Sequence, residues 1–295
     1  MGNIVTELRD KYRRSDIAMR FIYLNVGVFF LTTLTDLVLK LLRLPYAPFR
    51  RVECPADFER LLVQPWSPVT YMFLHAGVFH ILFNMLWLYW FGRLFLDLFS
   101  AKHFRGLYIL GGLCGGLLYM VAYNVFPYFR PYIDSSYLLG ASASVLAIAV
   151  ATAVREPDYR INLLFFGSVR LKYLALVLVV TDLMFITSSN GGGHIAHLGG
   201  ALAGLWFARA FQQGYDPTRW INWLIDKAEG WFAPRSRKRP KMKVHYGGRA
   251  ADYEYNARKR EREAEIDRIL DKLKKSGYDS LTEKEKKSLF DASKR

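Results

Sequence analysis

The chain has 295 residues, 52% of them hydrophobic and 16% aromatic, with a formal net charge of +15 and a mean hydropathy of only +0.06. That average hides segregation: long apolar blocks run to about Gln212, and charge dominates after Pro234. The blocks exclude an ordinary soluble enzyme, and the tail excludes a chain buried wholly in lipid. Two cysteines, Cys54 and Cys114, exclude a disulfide framework or a cysteine-built metal site.

In chain order, Met1–Asp16 is polar and charged, and the apolar block after it is too long for the core of a signal peptide. Six blocks then approach the ~20 apolar residues that a helix needs to cross a bilayer core of ~30 Å. They are Ile17–Leu42, Ala76–Phe91, Phe104–Phe126, Tyr137–Val154, Leu171–Ile186 and His194–Phe211. The second, fifth and sixth are short and carry polar residues, as helices around a polar site would. Basic residues in the connections set the orientation. Residues 1–20, 93–105 and 155–172 hold five, three and four Lys/Arg; the segments 43–75, 127–136 and 187–193 hold four, one and none. Both termini are therefore expected in the cytoplasm.

The tail opens with Trp220-Ile-Asn-Trp223-Leu-Ile and Trp231-Phe232, which read as an amphipathic helix in the membrane interface or, alternatively, as a soluble helix packed on the tail. Arg235–Lys243 holds six Lys/Arg in nine residues, suited to anionic headgroups; no groove-reading motif accompanies it, so nucleic acid is not expected as a partner. From Ala250 to Lys275 a charged helix carries the stripe Ile266, Ile269, Leu270 and Leu273. Ser280-Leu-Thr-Glu283 predicts a capping box that opens a second helix, completing a hairpin.

Polar side chains inside apolar blocks are costly and are functional candidates by default. Here they are His75, His80, Asn84, Ser142, Asp182, His194 and His197, with Asp36 in the first block. His80 and Asn84 are four apart on one helix face; they can donate hydrogen bonds toward one point, or serve as a packing pair. Ala143, Ala147 and Ala151 form a small-residue stripe beside Ser142, near a helix start whose free N–H groups can hold an oxyanion. A helix cap is the plainer reading of a lone serine. Ser144 lies about 200° around that helix, on nearly the opposite face. Gly200 and Gly204 give a second close-packing face, and His197 sits one turn before Gly200. A serine and a histidine on opposed small-residue faces suggest nucleophile and base. Metal binding by His194 and His197 is the alternative, for which the sequence offers no evident third ligand.

These residues resemble the rhomboid family of intramembrane serine proteases. His80-Ile-Leu-Phe-Asn84 looks like the family's H-x-x-x-N helix, Gly140-Ala-Ser142 like its G-x-S nucleophile motif, and His197-Leu-Gly-Gly200-Ala-Leu-Ala-Gly204 like its H-x-x-G-x-x-x-G helix. The resemblance covers about Trp66–Arg209. It implies a dyad of Ser142 and His197, with His80, Asn84 and backbone N–H groups near Ser142 lining an oxyanion hole. His75 would be structural or at the edge of the site. His194 offers another register for the base, and Asp182 is read as helix packing, with orientation of His197 as the alternative. Ala143 departs from the family's usual glycine, so its methyl could crowd the helix contact or the oxyanion hole.

The expected fold is all-α: a polytopic membrane protein with a six-transmembrane-helix rhomboid-like bundle and a cytoplasmic helical tail. The expected organisation is an arm at 1–16, the membrane domain at 17–212, an interfacial helix and basic linker at 213–243, and a charged helical hairpin at 244–295. The resemblance implies an endopeptidase acting on transmembrane protein substrates with no cofactor and no metal, in a bacterial inner membrane. The alternative is a proteolytically inactive relative that binds transmembrane clients. The Gly-rich segment 187–193 is expected to be a mobile cover over the site.

Overall fold

A computed structural model describes residues 4–44, 48–163, 167–232 and 249–293. The chain divides into two compact units, Met1–Phe232 and Ala233–Arg295.

In the first unit, α1 (Ile4–Arg14) precedes α2 (Ile17–Leu41), whose start is capped by Asp16 accepting from the Met19 N–H at 2.8 Å. Two short helices, α3 (Phe58–Val63) and α4 (Ser67–Thr70), follow. The apolar helices α5 (Val78–Leu98), α6 (Ala101–Val125), α7 (Ser142–Arg155), α8 (Leu171–Met184) and α9 (Gly191–Gln212) build the body, and α10 (Arg219–Phe232) closes the unit.

Three helices are long and apolar enough to cross a membrane: α2, α5 and α6. Helices α7 and α8 have 14 residues each, about 21 Å of helix against a core of ~30 Å. Clear spans are thus fewer than the six expected.

The fold is mostly helical rather than all-α. Strand β1 (Cys54–Pro55) pairs antiparallel with β2 (Tyr137–Leu138), and β3 (Arg160–Leu163) with β4 (Gly167–Arg170). Tyr137 and Leu138 read as the start of an apolar helix, yet they are extended, because Gly140 at φ +129° lies outside helical space and breaks the run before Ser142.

Close packing holds α7 at the centre. On α6, a Cβ at Gly115 would come within 2.7 Å of the Ala143 methyl, and Gly111 faces the Ala147 methyl in the same way. On α9, Gly200 and Gly204 lie against the backbone carbonyls of Ala143 and Ala147. The alanine stripe thus meets glycines on two helices: its methyls face α6 and its backbone faces α9. Buried Asn25 of α2 donates to Tyr108 Oη at 3.2 Å, and Tyr108 donates to the Met72 carbonyl at 3.1 Å, tying α2 to the core. Asp36 lies apart, in an exposed ion pair with Lys40 at 2.6 Å.

The glycine run 191–193 is the first turn of α9, not a loop. Gly192 packs on the Tyr119 ring and the Tyr123 hydroxyl, where a Cβ would fall within 2.8 Å and 3.1 Å of them. Tertiary packing here outweighs the intrinsic cost of helical glycine, about 1 kcal/mol per residue.

In the second unit, α11 (Arg249–Ser276) and α12 (Glu283–Ser293) form the hairpin. Ile269 and Leu281 are buried, while Leu270 is exposed. The capping box lies two residues later than expected: Thr282 Oγ1 accepts from the Glu285 N–H at 3.4 Å, and Glu285 Oε2 accepts from the Thr282 N–H at 2.8 Å. Ser280 instead donates to the Gly277 carbonyl at 2.6 Å, because Tyr278–Ser280 forms a 3₁₀ turn. The basic cluster Arg235–Lys243 lies outside the described residues, as do the side chains of Trp231 and Phe232.

Candidate active site

A cavity of about 880 Å³ opens among α5, α7, α8 and α9. Ser142, His197, His80, Asn84 and Asp182 all line it, together with Phe79, Phe83, Trp87, Leu146 and Leu178. An apolar wall with a few convergent polar groups is the usual make-up of a ligand site.

Ser142 is the first residue of α7. The first intrahelical bond there is Val145 N–H to the Ala141 carbonyl at 2.9 Å, so the N–H groups of Ser142, Ala143 and Ser144 have no acceptor within the helix. The segment before it is pinned: Leu138 sits in the ladder with Cys54, and the Gly140 N–H donates to the Tyr71 carbonyl at 3.0 Å. The Ser142 hydroxyl makes no hydrogen bond to another described residue. Ser144 is buried against Gly111 of α6 and does not line the cavity.

On α5, His80 Nδ1 accepts from the Ala76 N–H at 3.3 Å. A neutral imidazole that accepts at Nδ1 carries its hydrogen at Nε2 and can donate there. His80 Nε2 and Ser142 Oγ stand 2.9 Å and 3.6 Å from the point where Gly140 would carry a Cβ. The missing side chain at residue 140 is therefore the open space between donor and hydroxyl. The Asn84 amide donates one hydrogen to the His80 carbonyl at 2.9 Å and has a second for the cavity. His75 stays behind His80, ring edge to ring at 5.1 Å, and both its nitrogens are buried with no hydrogen-bond partner within 3.5 Å among the described residues.

Asp182 of α8 is buried, and its Oδ1 lies 2.8 Å from Nδ1 of both His194 and His197. A carboxylate only accepts, so both Nδ1 atoms donate to it. In the neutral ring of His197 this leaves Nε2 as the nitrogen that can accept a proton. His194 turns its ring toward Phe185 and is absent from the cavity wall. A carboxylate does therefore stand beside the two histidines, contrary to the sequence reading, and the three ligand atoms lie within 4.8 Å of one another. The 2.8 Å separations are hydrogen-bond lengths, shorter than the roughly 3.4 Å between ligand atoms around a tetrahedral zinc at ~2.1 Å.

Ala143 is 2% exposed and its methyl faces Gly115, not the cavity. Of the two places where it was expected to crowd the structure, it occupies the helix contact, where a glycine makes room. The sequence reading missed the shared acceptor role of Asp182. The one available signal was its standing as the lone carboxylate in the last two apolar helices.

The Rhomboid domain family matches residues 63–213, just over half of the chain and the whole of this site. The chain belongs to the rhomboid family. RHOMBOID-like protein 12, mitochondrial, of Arabidopsis thaliana is 30% identical over 142 residues, which are 45% of this chain and 42% of the plant protein. Presenilin-associated rhomboid-like protein, mitochondrial, of Homo sapiens is 25% identical over 138 residues, 46% of this chain and 35% of the human one. The Danio rerio protein of the same name, form A, is 28% identical over 138 residues. This rhomboid thus spans less than half the length of the relatives it matches. With α2, α5 and α6 long enough to cross a bilayer, it is a multi-pass membrane protein. Residues 250–295 match a family of unknown function (DUF6576).

Proposed function

We propose that this rhomboid is an intramembrane serine endopeptidase that cuts transmembrane proteins in or near their membrane segments. The observation that carries the reading is the meeting of Ser142, His197 and the His80–Asn84 pair in one cavity, with His197 Nδ1 committed to Asp182. In the reaction, Ser142 Oγ attacks the scissile carbonyl carbon while His197 Nε2 takes the hydroxyl proton. The carbonyl oxygen, now negative, receives hydrogen bonds from His80 Nε2, Asn84 Nδ2 and the free N–H groups at the start of α7. Donors placed in advance in a dry site are each worth about 3–4 kcal/mol of barrier. His197 then passes its proton to the leaving amine, the C–N bond breaks, and water releases the acyl group by the same steps in reverse. His197 closes on Ser142 when substrate binds; such contacts are commonly long before that. Asp182 acts as a positioning residue that fixes the His197 tautomer and steadies the imidazolium.

In this reading all six apolar helices, α2 and α5–α9, cross the bilayer, with the short α7 enclosed by its neighbours and the short α8 at the edge of the bundle. Helix α7 runs about 21 Å from Arg155 at one surface, which leaves Ser142 below the opposite surface, within reach of water through the cavity. Basic residues in the connections put both termini in the cytoplasm. A bacterial inner membrane draws no support from the matched relatives, which are mitochondrial by name. Segment 185–190, shorter than the expected 187–193, is what remains to cover the site.

The test is labelling of the purified protein by a serine-reactive phosphonate. Labelling that vanishes in Ser142→Ala and His197→Ala but persists in Ser144→Ala and His194→Ala supports the dyad. A folded wild type that takes no label favours the inactive, client-binding alternative.

A further inference from the structure

Helix α10 has two apolar faces, and the first unit covers one of them. Ile221 is buried and Ile225 half-buried against the core. Asn222 accepts from Arg105 Nε at 2.8 Å, and Thr218 and Asn222 fill the space beside Gly106 of α6. The acids of α10 are paired to α6: Asp226 with Lys102 at 2.9 Å and with Arg105, and Glu229 with Arg105 at 3.3 Å. The opposite face carries Trp220, Trp223 and Leu224, at i, i+3 and i+4, all about half exposed. Lys227 Nζ lies 4.0 Å over the Trp223 ring, and Arg219 has no side-chain partner among the described residues.

We propose that this outer face of α10 docks on the bilayer surface, with Trp220, Trp223 and Leu224 in the headgroup–acyl boundary and Arg219 and Lys227 at lipid phosphates. Depth supports the lipid as occupant. Helix α6 is 25 residues, about 37 Å, so it outruns a ~30 Å core and its ends stand in the headgroup layer. Its contacts with α10, Lys102, Arg105 and Gly106, lie within the first two turns of that helix. Charge supports it as well: Asp226 and Glu229 are paired with Lys102 and Arg105, while Arg219 and Lys227 have no ion pair among the described residues. Tryptophan flanked by Lys and Arg is the composition that settles at membrane interfaces, and a lysine stem can lie along the ring while its ammonium reaches water. The reading needs only that α6 spans the membrane; it is independent of the proposed protease activity.

The test uses the full chain reconstituted in phosphatidylcholine vesicles, with or without lipids brominated near the headgroup. Tryptophan emission is compared between wild type and the Trp220→Phe/Trp223→Phe variant, and iodide serves as the aqueous quencher. The emission that the variant lacks should be lost mostly to brominated lipid and little to iodide. Loss to iodide with no loss to brominated lipid would overturn the proposal. Should the double variant fold poorly, Leu224→Trp in the otherwise native chain gives the same reading: its added emission must be quenched by bromine. An Arg105→Ala variant, which removes the ion pairs of Arg105 with Asp226 and Glu229, should lower the bromine quenching; unchanged quenching would show that these ion pairs do not set the depth.

Discussion

Oδ1 of Asp182 stands 2.8 Å from Nδ1 of His197 and bridges helices α8 and α9 inside the cavity wall. The same oxygen receives His194 from one turn earlier on α9, again at 2.8 Å. One buried carboxylate thus holds two histidines, and only His197 reaches the cavity. An acid in that place fixes which ring nitrogen is basic, as the aspartate of a serine-protease triad does.

Asp182→Asn should therefore slow phosphonate labelling of Ser142 on the order of 10²–10⁴-fold while leaving the fold intact. Asp182→Glu should recover part of the rate. In the proposed dyad His194 is a neighbour of the base, so labelling of His194→Ala should stay within about tenfold of wild type. Equal rates for Asp182→Asn and wild type would reduce Asp182 to a packing residue.

Gly140→Ala tests the space between His80 and Ser142. The backbone at φ +129° strains any other residue by about 1–3 kcal/mol, and the new methyl would press on His80 Nε2 from 2.9 Å. Both the thermal midpoint in detergent and the labelling rate should fall. His80→Ala and Asn84→Ala should keep the midpoint nearer to wild type and cut the rate by roughly 10²–10³ each. A Gly140→Ala protein labelled at the normal rate would remove His80 from the oxyanion site.

Gly200→Ala places a methyl against the Ala143 carbonyl at the α7–α9 contact. Overpacking of this kind costs about 1–3 kcal/mol, read as a lower unfolding midpoint. Gly27→Ala on α2 is the control, since a Cβ there meets nothing within 4 Å, and it should be neutral or slightly stabilising. If the two variants melt alike, the glycine contact does not hold the bundle.

In the tail, Lys272 donates to Glu285 at 2.8 Å and, together with the Thr282 N–H and hydroxyl, pulls the Glu285 pKa from 4.5 down to about 2. A depressed carboxyl stabilises the folded state above its unfolded pKa, and that stability is lost as pH falls through the folded one. The α11–α12 hairpin should therefore keep its hydrogen-exchange protection above pH 4.5 and lose it toward pH 2. Glu285→Gln should start with weaker protection and show a flatter pH response. An identical response in both proteins would exclude the Glu285 clasp as its source.

The sequence by itself determined that this is a membrane protein, where most of its helices lie, and which polar residues are candidates for chemistry. Those are local properties: an apolar run, a 3.6-residue period, and His80, Asn84, Ser142 and His197 in family order. It also named the small residues that let helices meet. Only the tertiary structure decided how they meet, with methyls toward α6 and carbonyls toward α9. It also decided that Gly191–Gly193 is helical, that Tyr137–Leu138 is extended, and that Asp182 serves two histidines. The reason is that a partner is chosen by distance in space. Close packing brings residues far apart in the chain to within 3 Å, and nothing in the local pattern of either segment states which pairs will touch.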